Sequence, residues 1–170
     1  VGEMMSIRPV IEQINQLIIL HRSLLDLGIQ KKDILVSNKV NELAIIMKHE
    51  SNVMKQISTT EAAWRDEIIR FLEASGLKPD PQITVTEISK LVFNVEDRRA
   101  LNDAQRTLLD TVDELRKVNT LNQELIEQSL TFINYSIDLY MGGSEQSTIY
   151  NNTRQTSNEY KKMGLFDRRA

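Results

Sequence analysis

From residue 40 to residue 71 the chain repeats apolar positions in alternating steps of three and four: Val40, Leu43, Met47, Glu50, Met54, Ile57, Glu61, Trp64, Ile68 and Phe71. Eight of these ten are apolar, and no Gly or Pro interrupts them. Steps averaging about 3.5 residues keep side chains on one face of an α-helix, and a seam this long marks helices lying nearly side by side. The pattern points to a bundle built to hold something, rather than to a pocket built for chemistry.

The segment before it carries the same spacing: Val10, Ile14, Leu17, His21, Leu24, Gly28, Lys31 and Leu35. It predicts a first helix over about 9–36, with Pro9 in the first turn, where its missing N–H would be unpaired anyway. A second helix follows over about 39–74, with Ser37 or Asn38 expected as its cap. Gly76 stops it, and Pro79 and Pro81 forbid resumption. So short a link forces an antiparallel hairpin. Residues whose numbers sum to about 75 then face one another: Leu35 with Val40, Gly28 with Met47, Leu17 with Ile57, Val10 with Trp64. His21 and Glu50 fall within about a turn of each other, which suggests a buried His–Glu pair.

Thr84 and Glu87 have capping-box spacing and open a short third helix over about 85–95. The fourth helix covers about 96–141, either after a break or as a continuation of the third, and Gly142-Gly143 ends it. Residues 1–143 therefore read as the helical bundle. Residues 144–170 are polar, rich in Ser, Thr, Asn and Gln, and read as a flexible tail. The apolar end of that tail (Tyr160, Met163, Leu165, Phe166) has the look of a docking segment. The fold class is an all-α, elongated antiparallel helical bundle with long coiled-coil-like helices and a flexible C-terminal tail.

The fourth helix is too apolar for one buried face. One stripe runs Ile126, Leu130, Ile133, Ile137, Met141, and another Val118, Leu121, Leu125, Phe132, Tyr135, Leu139. A helix packed on one side needs one stripe. The second needs other cover: more bundle, a second subunit, the tail or a client protein. Asn119 and Asn122 interrupt the seam of this helix. Buried amides of this kind either punish misaligned packing or hydrogen-bond a partner's backbone.

Composition narrows the classes further. Only 6 Gly and 3 Pro among 170 residues, with 5% aromatics, suit helices better than sheets. The net charge is −3, and basic pairs such as Lys31-Lys32 and Arg98-Arg99 are scattered, so no nucleic-acid partner is expected. With no cysteine there is no disulfide or thiolate metal site. The apolar runs are far shorter than the about 20 residues a bilayer span needs, so no stable membrane insertion is expected, and no signal-peptide pattern is visible. His21 and His49 have no metal-ligand spacing, and no phosphate loop, nucleophile elbow or paired catalytic carboxylate stands out. The expectation is no metal, no cofactor and no enzyme.

Several features occur in a telling order: the spaced leucines before Lys31-Lys32 and Leu35; then Leu43, Glu50, Val53-Met54, Ile57, Glu61 and Trp64-Arg65; then Asn119, Asn122 and Leu125-Ile126; and an end reading Leu165-Phe166-Asp167-Arg168-Arg169-Ala170. Together they resemble the FlgN-type flagellar export chaperones. The resemblance implies a cytoplasmic, non-enzymatic chaperone for the hook–filament junction proteins FlgK and FlgL, delivering them to a component of the flagellar type III export gate. Recognition would be helix-in-groove. The candidate contacts are Val118, Leu121, Asn122, Leu125, Phe132 and Leu139 on the fourth helix, with Tyr150, Tyr160, Met163, Leu165 and Phe166 in the tail. A self-associating coiled-coil or adaptor module, homo-oligomeric in the free state, is the rival reading. A flagellin or filament-cap chaperone is the nearer one.

Overall fold

The computed structural model describes residues 6–142. All the elements in them are helices: α1 (Arg8–Val36), α2 (Val40–Ala74), α3 (Val85–Leu91) and α4 (Val95–Met141). The fold is therefore an all-α bundle of long helices. The chain divides into two units, Val1–Glu127 and Gln128–Ala170. None of the described helices is long and apolar enough to cross a membrane.

Helix ends are set by backbone geometry as well as by side chains. Asn38 takes a left-handed φ of 55°, and behind it Lys39 N–H donates to Ile34 O at 3.0 Å and Asn38 N–H to Leu35 O at 3.3 Å. This is a Schellman closure of α1, with Asn in the position glycine most often holds. The same closure ends α2 at Gly76 (φ 75°), where Leu77 N–H reaches Leu72 O at 2.9 Å. The expected cap from Ser37 or Asn38 does not form: Lys39 holds the N-cap of α2, without a side-chain bond. Asn38 is already committed to closing α1, so its side chain is not placed to begin α2.

α1 and α2 form the expected antiparallel hairpin, with Leu17 and Ile57 in one cluster. In the first half of α2 the expected seam holds at Leu43 and Glu50, both half-buried, and fails at three positions. Ile46 is buried and Val53 packs inside, whereas Val40, Met47 and Met54 are exposed. From Ile57 onward the expected and observed seams coincide at Trp64, Ile68 and Phe71. Both phases are apolar before Ile57, so the partner helix decides between them.

The His21–Glu50 pair is corrected. Glu50 instead accepts an ion pair from Lys31 at 2.7 Å, while His21 is buried, with its Nδ1 2.7 Å from Leu17 O. The carboxylate that feels the His21 charge is Glu61. These pairs have residue numbers summing to 81 (Lys31 with Glu50) and 82 (His21 with Glu61), not to 75. The reason is the backward tilt of helical side chains toward their own N-terminus. In this hairpin, α1 side chains lean away from the turn and α2 side chains lean toward it. Long side chains therefore meet when each backbone position lies roughly a turn beyond the level pairing. His21 and Glu50 would lean apart. Burial pushes the Glu61 carboxyl above its ordinary range, and the charges of Arg65 and His21 pull it only partly back.

α3 is anchored by its capping box. Glu87 N–H donates to Thr84 Oγ1 at 3.2 Å, and Thr84 N–H donates to the Glu87 carboxylate at 2.7 Å. That bond is the main reason the Glu87 carboxyl lies below its usual range. α3 ends at Leu91, four residues short of the expected Val95, because Val92 turns extended (φ −84°, ψ 119°). Asn94 then opens α4, its Oδ1 accepting from the N–H groups of Glu96 (2.8 Å) and Asp97 (3.1 Å). The break is real, and helix 4 does not continue helix 3.

α4 runs alongside α1 in the same direction. Arg8 pairs with Asp97 at 3.5 Å, Leu108 packs on the Leu17–Leu20–Ile57 cluster, and Asn122 Nδ2 donates to Gly28 O at 2.8 Å. Its buried seam steps through Leu101, Ala104, Leu108, Thr111, Leu115, Val118 and Asn122 in threes and fours. α1 is thus covered from two sides, with ten buried residues among its 29. The main core gathers where α1 begins: Ile7, Val10 and Ile14 against Phe71 and Leu72 of α2, Ile88 of α3 and Leu101 of α4.

Candidate functional site

The site suggested by sequence lies on α4, and the structure splits it in two. Val118 and Asn122 belong to internal packing. A Cβ placed on Gly28 would meet Val118 Cγ1 at 3.0 Å, and Asn122 is 3% exposed with its amide on the Gly28 carbonyl. The Asn122 amide donor is thus spent within the chain, on the backbone of α1. Asn119 is exposed, although its Oδ1 lies 3.9 Å from the position of that Cβ. Leu125 is half-buried, and Leu121 is on the surface.

Phe132 and Leu139 are a different case, at 70% and 66% exposed. Around them Leu130, Ile133, Tyr135, Ile137 and Tyr140 are exposed too, Tyr140 at 92%. Both apolar stripes are therefore exposed between Leu130 and Tyr140. The sequence analysis named one of the two stripes as candidate contacts, and Ile133, Ile137 and Tyr140, which it did not name, are exposed as well. Length was the available signal. The fourth helix has 47 residues against the 29 of α1. The remaining candidates, Tyr150, Tyr160, Met163, Leu165 and Phe166, lie outside the described residues.

The exposed stretch 128–142 carries a single charge, Asp138. A surface rich in Leu, Ile, Phe and Tyr with one carboxylate suits burial against another apolar surface. It offers no convergent set of acids, bases or nucleophiles of the kind turnover requires. Such a surface suits an amphipathic segment.

The family model described as FlgN protein matches residues 4–158. The chain is also similar to the "Uncharacterized protein YvyG" of Bacillus subtilis (strain 168), at 28% identity over 167 residues, covering 98% of this chain and 100% of the relative. No solved structure matches significantly. The family is one of chaperones rather than enzymes. Since its model spans nearly the whole chain and the helical bundle accommodates it, this chain belongs to the FlgN family, whose role is that of flagellar export chaperones.

Proposed function

We propose that this chain binds the hook–filament junction proteins FlgK and FlgL in the cytoplasm and delivers them to a component of the flagellar type III export gate. The client contributes an amphipathic helical end, which lies along the apolar surface of α4 from Leu130 to Met141. Phe132 and Leu139 anchor it, and Leu121, Leu125, Tyr150, Tyr160, Met163, Leu165 and Phe166 are further candidate contacts on the strength of their sequence pattern alone. The observation that carries the reading is the uncovered pair of stripes with Phe132 at 70% exposure, since a chaperone for an apolar helix needs such a surface before its client arrives. Binding must remain reversible, and a surface of one helix can give that without a very large dry interface.

The test is calorimetric titration of the full chain with full-length FlgK and FlgL, with flagellin as the control. Binding to FlgK or FlgL but not flagellin is expected, and Phe132→Asp should weaken it about thirtyfold, the loss typical of a buried aromatic anchor. Unchanged affinity in a folded Phe132→Asp protein would remove α4 from the client site. A tight homodimer that binds none of the three proteins would instead favour the self-associating module, and binding to flagellin alone would favour the filament chaperone.

A further inference from the structure

The two apolar stripes at the end of α4 need two covers. At about 100° per residue, Leu130, Ile133 and Ile137 lie about 160° around the helix from Phe132, Tyr135 and Leu139. An amphipathic helix anchored on Phe132 and Leu139 buries one side of α4 and leaves the other side to water. The Leu130 stripe prolongs the seam that α4 uses for packing. From the buried Asn122 the steps run through Ile126, Leu130, Ile133, Ile137 and Met141 in fours and threes. Leu130, Ile133 and Ile137 are exposed, though each less so than Phe132 or Leu139. The division of the chain falls after Glu127, so residues 128–142 share a unit with the segment that follows them.

Charge and length both point to that following segment as the cover. The last turn of α4 holds no basic residue, and Asp138 is the only charge in 128–142. The carbonyl end of a helix is partly negative, so this end of α4 favours cations. The sequence supplies them at Lys161 and Lys162, among the apolar Tyr160, Met163, Leu165 and Phe166. Gly142 takes a left-handed φ of 67°, which turns the chain off the helix axis. Between it and Tyr160 lie 17 residues rich in Ser, Thr, Asn and Gln. A coil of that length spans about 20–25 Å, ample to bring Tyr160 back beside the end of α4. From Tyr160 to Phe166 an extended chain covers about 20 Å, and the stripe from Met141 to Leu130 is about 17 Å long. We infer that residues 160–166 pack along Leu130, Ile133 and Ile137, with Lys161 and Lys162 at the negative end of α4, and leave the Phe132 side open. A short tether holds its own segment at an effective concentration of about millimolar, which a second copy of the chain at micromolar concentration does not match. The packing does not depend on the chaperone reading, which only names what takes the opposite stripe.

The test is disulfide trapping in the full chain, without any client. The chain has no cysteine of its own, so each variant holds one introduced pair. A disulfide forms only where the two Cα atoms come within about 7 Å. Ile137→Cys with Met163→Cys should close within one chain at least about tenfold faster than Leu139→Cys with Met163→Cys, whose first position is on the opposite stripe. Adding Leu165→Asp and Phe166→Asp to the first pair should slow it to the rate of the second, with helix content and unfolding midpoint unchanged. Equal rates for the two pairs overturn the inference, and so does a first pair that the two Asp substitutions do not slow. Faster closure between chains than within one, with a dimer that grows with concentration, gives the stripe to a second copy and also overturns it. Each of these outcomes leaves the chaperone reading to its own titration.

Discussion

Gly28→Ala sets two effects of known size against each other. In the middle of a helix the change should stabilise by about 1 kcal/mol, because Ala loses less backbone freedom on folding. Gly28 sits against α4, however, and the added Cβ would lie 3.0 Å from Val118 Cγ1. Val118 must withdraw by a few tenths of an ångström. It is β-branched, with one strongly preferred rotamer in a helix, so it cannot rotate away cheaply. Shifting α4 instead would stretch the 2.8 Å bond from Asn122 Nδ2 to Gly28 O. Through that bond the buried Asn122 amide satisfies its Nδ2, while its Oδ1 has no hydrogen-bond partner among the described residues. Overpacking of this kind costs about 1–3 kcal/mol, so the net effect should be a destabilisation of about 1 kcal/mol. Urea unfolding followed by circular dichroism would measure it. In a Val118→Ala background the obstacle is gone, and Gly28→Ala should then stabilise by about 1 kcal/mol, a coupling of about 2 kcal/mol. If Gly28→Ala stabilises the unsubstituted chain by the full helix-propensity gain, close packing of α1 on α4 at this point is refuted.

Two further outcomes follow from the hairpin's polar pairs. Burial raises the Glu61 pKa, so the stability associated with its protonated form is complete below the unfolded-state pKa and is lost as pH rises through the folded-state pKa. Glu61→Gln should therefore raise the melting temperature at pH 7 and lose that advantage as pH falls through the carboxylate range; a pH-independent effect would contradict the burial argument. Lys31→Met should cost about 1–3 kcal/mol, because the Glu50 carboxylate, 17% exposed, loses its partner. The double change Lys31→Met with Glu50→Leu should recover most of that loss in urea unfolding. Equal costs for the single and double changes would show that the pair is not what the Lys31 substitution disrupts.

Helix identity and most helix ends were legible in the sequence because they depend on contacts within about one turn. Pro9, Gly76, the Thr84–Glu87 box and Gly142 each act on the backbone beside them, and the observed helices start or stop there. The end of α3 was less legible, because Val92 turns extended with help from core burial and from Arg98, six residues on. Pairing between helices was legible only to first order. The turn at residues 37–39 dictates an antiparallel hairpin, but the lean of the side chains makes Lys31 and Glu50 partners and leaves His21 facing the Glu61 charge. Likewise, Ile46 and Met47 are both apolar, and only the neighbouring helix determines which is buried. The same holds for the site. The excess of apolar residues on α4 is written in its own sequence. Which of them are spent on packing, such as Val118 against Gly28, and which remain exposed, such as Phe132, is not written in that sequence. A stripe records that a surface needs cover, and only the tertiary structure decides whether the fold supplies it.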